Sequence, residues 1–72
     1  MSRRADPERI HAARRAATLQ RLTNEGELPD LAEAIVARWE AVADAEGRPH
    51  DRDYWEAFEA WRTAEGYSPR RS

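Results

Sequence analysis

The sequence predicts an all-α fold, a small three-helix bundle, on three observations: apolar residues recur at spacings of three and four, two glycine-closed breaks divide the chain into three stretches of helical length, and no run alternates with period two. Seventy-two residues, 40% of them hydrophobic and many of those alanine, make a single domain over 1–72 with one thin core.

The first helix is predicted over about 7–25. Asp6-Pro7-Glu8 supplies an N-cap acceptor, a residue with preset φ at the first helical position and an acid beside the positive end of the dipole. Asn24 and Gly26 mark its end, and the second helix is expected over 29–46, with Asp30 capping and Glu33 closing a capping box. Gly47-Arg48-Pro49 stops that helix, because glycine accepts a left-handed conformation and proline cannot continue the ladder. The third helix is expected over 52–65, starting near Asp51 or Asp53 and ending at Gly66, with 1–5 and 68–72 as frayed tails. A similar spacing runs from Trp39 to Gly47 and from Phe58 to Gly66, which two amphipathic helices sharing one type of C-cap would reach independently.

In the second helix Leu28, Leu31, Ile35, Trp39 and Val42 step by three and four and form the predicted core stripe, widened by Ala32, Val36 and Ala43. Tyr54, Phe58 and Trp61 form the matching stripe of the third, so the two are expected as an antiparallel pair joined by a short turn. The first helix, packed across them, has two weak apolar faces. Ala12, Ala16, Leu19 and Thr23, with Leu22 at the edge, are expected inward; Ile10, Arg14, Ala17 and Arg21 are expected outward as a mixed apolar and basic stripe.

Charge divides along the same lines. The basic residues are twelve arginines and no lysine, so each cation is a planar guanidinium suited to bidentate contacts. Residues 1–26 carry six arginines against three acids, whereas 27–47 carry Arg38 against six acids. Asp30, Glu33, Glu40 and Asp44 line one ridge of the second helix, whose length and sign match the basic stripe, so the two are expected to meet within one bundle or between two copies. Trp55 falls about 100° off the third helix's core stripe with Arg62 on the same side, a pairing that reads either as an interaction hot spot or as a structural edge in which Trp55 covers the bundle and Arg62 stacks on its ring.

Several chemistries are missing. With no cysteine there is neither a disulfide framework nor a thiolate metal site, and three glycines make no phosphate loop. No hydroxyl falls beside a base, and His50-Asp51-Arg52-Asp53 lacks the ligand spacing of a calcium loop and reads as helix capping. No catalysis, metal or cofactor is expected. No apolar run approaches a signal or membrane segment, which gives a cytoplasmic expectation with no membrane partner.

The function expected is therefore a small non-catalytic protein–protein interaction or regulatory module, with a homodimer as the simplest partner. Its binding residues would be Ile10, Arg14, Ala17 and Arg21 with Glu33, Glu40, Asp44, Trp55 and Arg62. The alternative is a nucleic-acid-binding regulator using Arg3, Arg4, Arg9, Arg14, Arg15 and Arg21, since only the N-terminal arm and first helix are basic enough to meet phosphate.

Overall fold

A computed structural model describes residues 6–67 and contains three helices, α1 (Pro7–Asn24), α2 (Pro29–Ala45) and α3 (Asp53–Glu65), with no strand among the described residues. The tails at 1–5 and 68–72 lie outside them, as do Arg3 and Arg4. The helices form a small bundle in which α1 contacts both of the others.

The starts of the helices follow local chemistry, with two departures from expectation. Asp6 caps α1, its Oδ1 accepting from the Glu8 N–H at 3.0 Å, and Pro7 takes the first turn. At α2 the predicted capping box does not form. Leu28 is the N-cap residue, without a side-chain bond, because Pro29 starts the helix two residues before the start an Asp30 cap would set and carries Asp30 into the first turn. At α3 neither Asp51 nor Asp53 is the N-cap residue: the helix starts at Asp53 with Arg52 before it, without a side-chain bond, while the Asp51 carboxylate accepts from the Asp53 N–H at 3.0 Å.

Each helix ends in the same way: the N–H after the glycine reaches back to a carbonyl five residues earlier, Glu27 to Leu22, Arg48 to Ala43 and Tyr67 to Arg62, at 2.9–3.0 Å. The two inter-helix turns depend on it, since Gly26 and Gly47 sit at φ 107° and 71°, where a Cβ is disfavoured.

The core consists of Leu22, Ala32, Ile35, Val36, Trp39, Ala43, Tyr54, Trp55 and Phe58. Ile35, Trp39 and Phe58 are buried as their spacing predicts, with Val42 and Trp61 partly buried beside them. Two of the predicted stripe residues are not in the core: Leu28 is 68% exposed and Leu31 46%. The buried face of α2 is instead Ala32, Ile35, Val36, Trp39 and Ala43, centred on the small residues that were expected only to widen it. Alanine at two of these five places lets a neighbouring backbone approach closely. Leu31, about 100° around the helix from Ala32, is left at the rim.

A similar rotation occurs in α1. Ala12 and Ala16, expected inward, are exposed, while Thr18 and Leu22 are buried and His11, Arg15, Leu19 and Thr23 are partly buried. His11, Arg15, Thr18 and Leu22 follow an i, i+4, i+7, i+11 line, so the inward face is regular in spacing and largely polar in composition. Its polar groups are accommodated by partners on the other helices.

Candidate functional site

Arg15 is the first of these. Its Nε donates to Glu40 Oε2 at 2.8 Å and its Nη2 reaches Glu40 Oε1 at 3.2 Å and Glu33 Oε1 at 3.4 Å, so one guanidinium clamps two positions of the acidic ridge. Arg15, which the sequence assigns to the nucleic-acid alternative and not to the outward stripe, is what meets the ridge; of the stripe's arginines, Arg21 pairs with Glu25 and Glu59, and Arg14 pairs with no ridge acid among the described residues. Two of the four ridge acids, Glu33 and Glu40, are occupied in this way; Asp30 and Asp44 are exposed.

A second ion-pair cluster ties the end of α1 to α3. Arg62 is 4% exposed and pairs with Glu25 at 3.3 Å and Glu59 at 3.0 Å, while Arg21 pairs with the same two carboxylates. Burial pushes the Glu59 carboxyl up, but hydrogen bonds and charge from Arg21 and Arg62 outweigh it and hold it below its usual range. Trp55 is also buried, at 7% exposure, and its indole N–H finds no hydrogen-bond partner among the described residues. The expected Trp55–Arg62 hot spot is therefore interior: Trp55 packs on His11, Tyr54 and Phe58, and Arg62 lies over the Phe58 ring at 5.9 Å.

Of the outward stripe on α1, Ile10, Arg14, Ala17 and Arg21 are all exposed, and Ile10 at 40% is one of three exposed large hydrophobics among the described residues. Within the described part of the nucleic-acid set, Arg15 and Arg21 are in ion pairs. Arg9 and Arg14 have no ion-pair partner among the described residues.

His11 was not singled out from sequence. Its ring stacks on His50 with centroids 3.7 Å apart and planes 5° apart, and Tyr54 meets both edge-on at 4.8 and 5.1 Å. The His50 Nδ1 lies 3.5 Å from Glu8 Oε1. A cleft of about 360 Å³ opens on one side of the stack, lined by His11, Glu40, Ala41, Asp44, Arg48, His50 and Tyr54. A second, of about 280 Å³, opens on the other beside Pro7, Ile10 and Arg14. The first cleft has imidazoles and a phenol but no serine, threonine or cysteine to act as nucleophile, and no group of three or more metal-ligating side chains occurs among the described residues.

Burial, followed by the neighbouring His50, holds the His11 imidazole below its ordinary value, and the opposing pull of Glu8 and Glu40 is weaker. The unfolded chain therefore takes up this proton at higher pH than the folded one, so stability falls as pH drops below about 6.5. The melting temperature is expected to decline between about pH 7.5 and pH 5.5, and to decline less in His11→Gln, as measured by circular dichroism. Equal slopes in the two proteins would show that another group sets the dependence.

The third feature is the surface around Leu28 and Leu31. A shallow groove of about 230 Å³ opens between α1 and the start of α2, lined by Ala16, Leu19, Gln20, Thr23, Pro29, Ala32 and Glu33 and by neither leucine. Glu27, Asp30 and Glu33 surround the leucines, and no arginine occurs between Arg21 and Arg38. The sequence missed this patch by placing both leucines in the core. No helix of the described residues is long and apolar enough to cross a membrane. No family model, curated protein or solved structure matches the chain.

Proposed function

We propose that the chain is a small, non-catalytic protein-interaction module, with α2 and α3 as an antiparallel pair, α1 across them, and the start of α2 as the principal docking surface. The observation that carries this reading is the exposure of Leu28 and Leu31, at 68% and 46%, at the start of α2. A single exposed leucine is ordinary, but two within three residues, in a domain with few bulky apolar residues to spare, are the composition of a binding surface. The acids around them favour a partner with basic groups and repel phosphate, which argues for protein over nucleic acid.

Site-specific photo-crosslinking tests this reading. A photoreactive residue at position 31 is expected to yield protein adducts that disappear in Leu28→Asp, and one at the exposed Ala60 of α3 is expected to yield none. Equal yields from the two positions, or adducts only with nucleic acid, would contradict it.

A further inference from the structure

We propose that copies of this chain bind one another head to tail, the Ile10–Arg14 surface of α1 seating against the Leu28–Leu31 surface of the next copy. This rests on the protein-interaction reading and names its partner.

The described residues expose three large hydrophobics, Ile10, Leu28 and Leu31, and these fall on two patches of opposite sign. Ile10 lies with Arg9 and Arg14 near the start of α1, beside the cleft that Arg14, Arg52 and one acid, Asp51, help to line. Leu28 and Leu31 lie with Glu27 and Asp30 just beyond the end of α1. Arg9, Arg14, Glu27 and Asp30 have no ion-pair partner among the described residues, whereas Arg15, Arg21 and Arg62 are all engaged within the bundle. These four unengaged charges flank the unburied apolar side chains, while Arg38 and Asp44, also without an ion-pair partner among the described residues, lie further along α2.

Geometry and sign then decide the mode of contact. The patches lie at opposite ends of α1, about 20 Å apart at 1.5 Å per residue, so one copy cannot close its own pair. A two-fold contact that sets like patches face to face brings Glu27 and Asp30 against their equivalents or Arg9 and Arg14 against theirs, which like-charge repulsion disfavours, so a two-fold dimer forms only by pairing both unlike patches at once. Only the unlike patches are complementary. A single contact between unlike patches is heterologous and leaves one free patch of each kind at the ends, so association through such contacts continues past the dimer unless a ring closes.

Two variants separate this arrangement from a two-fold dimer. Ile10→Glu with Arg14→Glu blocks one patch, and Leu28→Ser with Leu31→Arg blocks the other; all four positions are exposed, and circular dichroism verifies that each variant folds. Analytical ultracentrifugation of the parent at millimolar concentration and low salt is expected to show a mass that rises beyond two chains and falls as salt is added. Each variant alone is expected to be monomeric, and an equimolar mixture is expected to form a species of two chains, one of each kind, and no larger. A parent that stays monomeric, a parent that stops at a dimer, or variants that fail to complement each other would overturn the proposal. If the parent stays monomeric while position 31 still crosslinks to a different protein, the interaction-module reading stands and head-to-tail assembly fails. If position 31 yields no protein adduct at all, both fail.

Discussion

Phe58→Ala is expected to remove about 3–5 kcal/mol of stability, a large share of the roughly 5–15 kcal/mol available to a small domain. Phe58 is fully buried, with Trp39, Trp55 and Trp61 around it at centroid distances of 6.3, 5.7 and 6.1 Å and the Arg62 guanidinium over its face. Removing the ring leaves a void bounded by three indoles, too large and rigid to collapse around an alanine without moving α2 against α3. Urea denaturation followed by far-ultraviolet circular dichroism should show a midpoint shifted far toward zero or no cooperative transition. An unchanged midpoint would mean that the aromatic cluster does not hold the helices together.

Arg62 carries the second large effect, and the choice of replacement separates its contributions. Arg62→Ala is expected to cost about 3 kcal/mol, because it removes both a charge and the buried aliphatic stem packed on Phe58. Arg62→Met keeps most of the stem and is expected to cost less, about 1 kcal/mol, since removing one partner of an ion pair is costly only where the charge left behind is buried and unpaired. Two features support the smaller cost. Glu25 and Glu59 are each about one-third exposed and keep Arg21 as a partner, and the Arg62 Nε already lacks a hydrogen bond. Chemical denaturation of the two variants under identical conditions reads the difference. Equal destabilisation would assign the role to charge.

The parts of this architecture that were legible in the sequence are those set by strong local rules. Asp6-Pro7 admits one reading as a helix start, glycine followed by a residue that bonds back across it ends all three helices, and Ile35, Trp39 and Phe58 are too apolar and too regularly spaced to lie anywhere but inside. The orientation of α2 was harder to see, because Leu28 and Leu31 outweigh Ala32 and Ala43 on any hydrophobic scale while close packing favours the alanines. The inward face of α1 gave even less signal. His11, Arg15 and Thr18 look like surface residues until Glu33, Glu40 and His50 are brought to them from elsewhere in the chain. The candidate surfaces shared this fate: Ile10 and Arg14 were visible as unpaired residues on α1, whereas the leucine patch and the imidazole stack exist only through the rotation of two helices. The spacing from His11 through Arg15 and Thr18 to Leu22 was the one available sign.

The two turns are short, residues 25–28 between α1 and α2 and 46–52 between α2 and α3. Neighbouring helices therefore meet after the closure of small loops, with little chain entropy to overcome before contacts repay it. Helical domains of such low contact order cross their folding barrier in microseconds to milliseconds. With a core this thin the reverse step is also quick, so the native state is maintained by rapid refolding more than by a high barrier to opening. A protease that cuts more slowly than the chain recloses would report the equilibrium population of open chains, and any partner that covers the exposed leucines would lower that population in proportion to its occupancy.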